Sequence, residues 1–313
     1  MGVEKVNTQS KGGTELLIDE FKQNIPEAIY EHFHIIPSRN RGIDKNKIPI
    51  YWAHDLPGDP ECDHLKAGGY NQYERLVFVS NWQMQLFISA YGIPWHKCIV
   101  IPNAINPIPN KPKQQGGPIR LIYHTTPHRG LELLSPVFNS LSKKYDIELD
   151  VFSSFNIYGW GERDEQYKQV FEQLQSNPKV RYHGFAEQSV VREAVSNAHI
   201  FAYPSIWMET SCRCLMEAMS AGLLCVHSNL GALYETAAGW TWMYQYQQDK
   251  RDHLMVFAQN LSGAIEHYWD ESVQYQTQNQ SSYANIYYSW QMRKVQWTNF
   301  LKQILADKRI QIE

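Results

Sequence analysis

Hydrophobic residues in this chain come in short runs separated by amphipathic stretches, an alternation that predicts strand following helix over most of its length. From residue 119 the reading is regular. Strands at 119–124, 147–153, 179–183, 199–203 and 223–227 alternate with helices at 130–142, 163–175, 187–196 and 211–221. Upstream, a helix from Thr14 to Asn24 precedes strands at 32–37, 48–53 and 75–79, a helix at 81–91 and a strand at 98–101. This alternation predicts doubly wound parallel sheets, whose ligands gather at the carboxyl ends of the strands. Residues 103–118 carry four prolines and two glycines without apolar periodicity, which marks a linker and a domain boundary. The tail from about 283 regains helical spacing, with Trp290 and Trp297 as candidate anchors. No internal repeat is evident.

Composition narrows the class. A length of 313 residues suits two domains of about 100–200 residues. A net charge of −3 argues against a protein that binds nucleic acid mainly by charge. No run approaches the ~20 apolar residues of a membrane helix, and the N-terminus lacks the apolar core of a signal peptide. Five scattered cysteines fit a reducing compartment. A cytoplasmic location is expected, with peripheral membrane contact left open. Cys212 and Cys214 form a C-x-C without a second pair at zinc spacing, and read as packing residues at a helix start.

The run 204–222, PSIWMETSCRCLMEAMSAG, holds the main candidate chemistry. Thr210 and Ser211 are good N-cap residues, and the helix they would open places its first free N–H groups near Cys212, Arg213 and Cys214. Such a helix start attracts a phosphate. Glu209 beside it and Glu217 further along could grip the hydroxyls of a sugar and of a ribose, since each carboxylate offers two acceptor oxygens. Read alone, the pair is more simply an N-terminal charge and a solvated helix-face Glu.

The pattern Glu209, seven residues, Glu217-Ala218-Met219-Ser220-Ala221-Gly222 resembles the retaining glycosyltransferases of family four, which have the GT-B architecture. Ser228-Asn229-Leu230-Gly231, Glu235 and Val180-Arg-Tyr-His-Gly184-Phe185 extend the resemblance, which is strongest from about 119 to 240. It implies an α/β fold of two doubly wound, Rossmann-like domains facing across a cleft, with the last helix crossing back to the N-terminal domain. The expected division is 1–108 (acceptor side, reduced in size), 109–282 (nucleotide-sugar donor domain) and 283–313 (returning helix).

The remaining site residues take their roles from the same resemblance. Arg129-Gly130 stands where the family neutralises the leaving diphosphate. An earlier strand-end Arg of the family is replaced here by His124, Thr125 and Thr126, so that either His128 shares the role or the phosphates rely more on helix dipoles. Gly12-Gly13-Thr14 matches the glycine turn bordering the donor phosphates, and Gly184-Phe185 the turn beside the base. His54, at a strand end, matches a His that contacts the donor sugar. The catalytic candidates are therefore His54, Arg129 and Glu209. The donor-binding set is Gly12, Gly13, Thr14, Thr125, His128, Gly184, Phe185, Thr210, Ser211, Cys212, Arg213, Cys214 and Glu217.

The expected activity is metal-independent, retaining transfer from a nucleotide-diphosphate sugar, UDP ahead of GDP, to a carbohydrate acceptor, with no cofactor. Three alternatives stay open: a GT-B nucleotide-sugar epimerase, a sugar-nucleotide-binding protein without catalysis, and a transferase acting on modified DNA bases. The last draws on the basic loop Arg39, Arg41, Lys45 and Lys47. Sugar, linkage and oligomeric state are not legible.

Overall fold

Alternating strands and helices fold, in a computed structural model describing residues 13–311, into two units that each enclose a wholly parallel sheet. Of the described residues, the first unit comprises 13–106 with the returning segment 288–311, and the second runs through 107–287. The chain thus crosses between units inside the proline-rich linker and again at Tyr287–Tyr288.

In the first unit, helices α1 (Gly13–Asn24) and α2 (Glu27–Tyr30) lead into strands β1 (Phe33–Pro37), β2 (Ile48–Trp52) and β3 (Arg75–Phe78). Helix α3 (Asn81–Tyr91) and strand β4 (Cys98–Val100) follow, and the strand order is β1-β2-β3-β4. A long irregular 3-10 segment, Pro60–Gln72, fills the β2–β3 connection, where the hydrophobic pattern gave no element. The last helix of the chain, numbered α11 below, is held against this unit by Trp297. Its ring meets Phe21 and Trp52 edge-on, both at 5.0 Å, and Trp290 Nε1 donates to Glu20 Oε2 at 2.9 Å. Aromatic pairs in this geometry add to the area they bury.

The second unit contains β5 (Ile119–Tyr123), α4 (Leu131–Leu141), β6 (Ile147–Val151), α5 (Lys168–Gln175), β7 (Val180–Tyr182), α6 (Gln188–Asn197) and β8 (Ile200–Tyr203). It continues with α7 (Arg213–Ser220), β9 (Leu224–Ser228), α8 (Leu233–Ala237), β10 (Trp242–Tyr244), α9 (Lys250–Glu266) and α10 (Glu271–Tyr287). Helix α11 (Trp290–Asp307) then closes the first unit, its N-cap Ser289 accepting from Met292 N–H at 3.2 Å. The apolar run that reads as one tail helix is therefore broken at Ser289.

Strand order in the second sheet is β7-β6-β5-β8-β9-β10. The chain winds outward from β5 in one direction, then returns and winds outward from β8 in the other. The crevice for a ligand lies at that reversal, beyond the carboxyl ends of β5 and β8. Both strands are almost wholly buried, as parallel strands covered on both faces must be.

Candidate active site

Two glycines let the loop after β8 pack against the turns that follow β5 and β9. Gly130 has φ +125°, and a Cβ there would stand 2.2 Å from the Pro204 carbonyl oxygen. Gly231, just after β9, has φ +65°, and its Cβ would stand 2.6–2.7 Å from the backbone of Glu209. Only glycine tolerates both the dihedral and the approach. Ala232 N–H then donates to the Glu209 carbonyl at 2.7 Å, and Ser228 Oγ to that of Ser205 at 2.8 Å. The loop carrying Glu209 is thereby fixed from both sides.

Held in this way, Glu209 is 5% exposed and forms an ion pair with Arg129 through Oε1 and Nη1. The same oxygen accepts from the hydroxyl of Tyr203, the last residue of β8. Arg129 Nε donates to Thr126 Oγ1 at 3.1 Å, which sets the plane of the guanidinium. Burial alone would lower the pKa of Arg129, but Glu209 and Tyr203 more than offset it. Trp207, 43% exposed, lies 6.0 Å from the guanidinium carbon. Its ring meets that of His128 edge-on at 4.7 Å, and His128 stacks on Phe155 at 5.1 Å and 14°. Burial, reinforced by Arg129 and Arg163, lowers the His128 pKa to about 4.

Helix α7 begins later than the sequence predicts. Its N-cap is Cys212, so Thr210 and Ser211 belong to the preceding loop. The capping preference of Thr and Ser yields here to the tertiary clamp on the loop. Helix α7 accordingly opens with Arg213, Cys214 and Leu215, and the Cys212 thiol accepts from the Leu215 N–H. The Cys212 thiol hydrogen-bonds Cys214, which holds the Cys214 pKa down, and Cys214 Sγ lies 3.1 Å from the His124 carbonyl. The two cysteines therefore line the strand end as well as packing the helix start. Glu217, on α7, is 5% exposed, accepts from Gln188 Nε2 at 3.3 Å, and has its pKa raised by burial, with Arg213 opposing.

The other expected residues fall at separate places. Thr125 is half-buried at the end of β5. Gly184, with φ +62°, and Phe185, 36% exposed, follow β7, where His183 stacks on Phe152 at 4.2 Å and 5°. His54 belongs to the first unit: its N–H donates to Ser38 Oγ at 3.2 Å and its ring lies 4.7 Å from Trp52. Gly13 and Thr14 open α1, and Gly12 lies outside the described residues. In the basic loop, Arg41 is engaged by Glu61 in a two-pronged pair at 2.9–3.0 Å. Tyr203, Trp207 and Gln188 join the site without having been assigned a role in it from the sequence. Tyr203 gave the clearest missed signal, an aromatic hydroxyl ending a buried strand directly before the motif loop.

A basic residue and a carboxylate at a strand-order reversal, beside a helix start, suit an anionic, hydroxyl-rich ligand. Residues 109–242 match the family described as Glycosyl transferases group 1. This stretch of the second unit, less than half of the chain, is therefore similar to a glycosyltransferase domain. The chain is 31% identical over 140 residues to one of the subunits of human phosphatidylinositol N-acetylglucosaminyltransferase, an alignment covering 44% of this chain and 28% of that protein. The chain therefore spans well under half the length of this relative. Among solved structures, a glycosyltransferase from Rickettsia africae superposes with TM-score 0.69 at 16% identity, over 96% of this chain and 84% of that one. The pneumococcal O-GlcNAc transferase GtfA, solved with UDP and GlcNAc, gives TM-score 0.63 at 12% identity, over 93% and 60%. At these identities the structures speak for the fold: two parallel-sheet α/β domains of GT-B type.

Proposed function

We propose that the protein is a retaining glycosyltransferase that moves a sugar from a nucleotide-diphosphate sugar, UDP ahead of GDP, to a carbohydrate hydroxyl. The observation that carries this reading is the Arg129–Glu209 pair at the β5/β8 reversal, beside the backbone N–H groups that open α7. Arg129 and those N–H groups would meet the diphosphate, Glu209 the sugar hydroxyls, Glu217 the ribose, and Gly184-Phe185 the base. His54 and the Gly12-Gly13-Thr14 turn are proposed for the transferred sugar and the phosphates. The human relative transfers N-acetylglucosamine by name, and GtfA was solved with UDP and GlcNAc, so UDP-N-acetylglucosamine is the first donor to try.

In this reaction the acceptor oxygen bonds to the anomeric carbon on the face that the leaving group vacates. The carbon–oxygen bond to the diphosphate breaks, its electron pair stays on the diphosphate, and a diphosphate oxygen takes the acceptor's proton. Negative charge grows where Arg129 and the start of α7 stand, so these groups stabilise the transition state more than the ground state. Metal is not required in this scheme, and activity should survive EDTA. Loss of activity that Mg²⁺ or Mn²⁺ restores would refute that part.

The decisive experiment is a thermal-shift panel of UDP, GDP, ADP and their sugars, followed by a transfer assay. A ligand at a hundred times its dissociation constant adds about 2.7 kcal/mol. That is roughly 5–10 °C for a unit of this size. No shift with any nucleotide would overturn the reading. Binding without transfer or hydrolysis would favour the non-catalytic alternative, which the prior engagement of Arg129 by Glu209 keeps in view. Release of a 2-epimer would favour the epimerase.

A further inference from the structure

The turn after β5 offers one fixed cation, Arg129, while Arg163 and Arg213 stand on other elements of the second unit. Arg129 is already neutralised by Glu209, and no second Arg or Lys stands among His124, Thr125, Thr126 and Pro127 at the end of β5. One group in the same turn can become a cation. The imidazole of His128 is fixed between the face of Phe155 and the edge of Trp207, so its orientation is set before any ligand arrives. Its Nδ1 is buried without a hydrogen-bond partner, as is one ring nitrogen each of His64 and His124. His227, by comparison, engages Ser228 O and Thr241 Oγ1, each at 2.8 Å.

The charges facing His128 come from three elements. Arg129 stands beside it in the same turn, and Arg163 approaches from the 3-10 turn Gly161–Tyr167. Asp164 of that turn is taken up by Ser154 Oγ and Phe155 N–H. Glu209, from the loop after β8, is bound to Arg129. The two cations are the neighbours that shift it, and they reinforce burial in keeping the ring neutral, with its pKa lowered to about 4. A diphosphate seated on Arg129 brings negative charge into the same space and reverses that balance.

We propose that His128 takes up a proton when the donor diphosphate binds beside Arg129, and so supplies the second cation that the end of β5 lacks. This rests on the reading that the second unit binds a nucleotide-diphosphate sugar. The proton comes from solvent and returns to it on release, and no bond to the ligand is made or broken. While the glycosidic bond breaks, the imidazolium adds to Arg129 as a counter-charge for the leaving group.

The test is calorimetric titration of the full chain with UDP-N-acetylglucosamine at pH 6.0, in two buffers of different ionisation enthalpy. The sugar diphosphate is fully ionised at that pH, so the protein must account for any proton taken up. About 0.5–1 proton should enter per donor bound if the ring returns to its ordinary range. Affinity should then be roughly fourfold higher at pH 6 than at pH 8. In His128→Gln the uptake should vanish and the affinity become independent of pH over that interval. His128→Lys should likewise show no uptake while retaining tight binding. Binding without uptake by the unaltered protein, or uptake that persists in His128→Gln, would overturn the inference while leaving the donor-site reading intact. Failure of every nucleotide sugar to bind would remove both.

Discussion

Glu209→Gln separates the two tasks assigned to the site, since the amide keeps the shape of the carboxylate and removes its charge. In the native protein one buried oxygen of Glu209 serves both Arg129 and the Tyr203 hydroxyl. Exchanging charge-assisted bonds for neutral ones costs about 1–2 kcal/mol, and leaving Arg129 without its counter-ion raises the total to roughly 2–3 kcal/mol. At about 2–4 °C per kcal/mol the unliganded variant should melt some 4–12 °C lower. UDP should then bind more tightly than to the native protein, because a carboxylate at about 6 Å from a phosphate repels it by roughly 3 kcal/mol at an effective dielectric of 20. Halved for the open side of the site, this gives about a tenfold gain in affinity. UDP-sugars should gain less, since they lose the hydroxyl contact, and turnover should fall. Calorimetry with UDP and with UDP-N-acetylglucosamine, alongside melting curves, reads all of these quantities. A variant that melts as the native protein does and binds UDP equally well would refute the electrostatic account of the pair. Weaker UDP binding would mean that Glu209 holds the nucleotide rather than opposing its charge.

Glu217→Ala should weaken UDP binding by about 10- to 150-fold, the loss of one charge-assisted bond of 1.5–3 kcal/mol. Unchanged affinity in the folded variant would remove Glu217 from the ribose. Burial lowers the pKa of His227 to about 4, with its bond to Ser228 opposing. The unfolded chain therefore binds a proton near pH 6.5 that the folded one refuses until about pH 4, and stability falls as pH drops through that window. The full interval is worth on the order of 3 kcal/mol, and urea unfolding from pH 7.5 to 4.5 should show a flatter acid limb for His227→Gln. Trp297→Ala removes the ring wedged between Phe21 and Trp52, and should destabilise the first unit by about 3–5 kcal/mol. Hydrogen exchange should place that loss in residues 13–106 and 288–311, and UDP binding should persist.

The fold was largely legible because parallel strands buried on both faces read as short apolar runs between helices of clear period. Every strand and helix expected between 119 and 227 exists, with ends shifted by one or two residues in most cases. The larger shift, at 163–175, has a local cause. Residues 161–167 lack an N-cap and form a 3-10 turn, so the α-helix begins only at Lys168. Beyond 227 the pattern was left largely unassigned. The three-residue edge strand Trp242–Tyr244 is too short to show a period, and α9 and α10 carry weakly amphipathic sequences.

The site was legible as residues but not as a constellation. Arg129 and Glu209 were each chosen for their own local setting, and nothing in that setting says that they form an ion pair across eighty positions. What joins them is the near-contact of two backbones, permitted by the missing side chains of Gly130 and Gly231. The sequence shows those glycines as turn punctuation, because their partners, Pro204 and the backbone of Glu209, are distant along the chain. The pairing also changes the chemistry to be expected of the site. A free arginine would make a standing anion trap, whereas an arginine held by a carboxylate has to be released by the ligand that claims it. If the proposed donor binds there and His128 titrates with it, occupancy, local charge and that protonation become one coupled equilibrium. A donor carrying both diphosphate and sugar can engage Arg129 and Glu209 together, and that gives it an advantage over a bare phosphate.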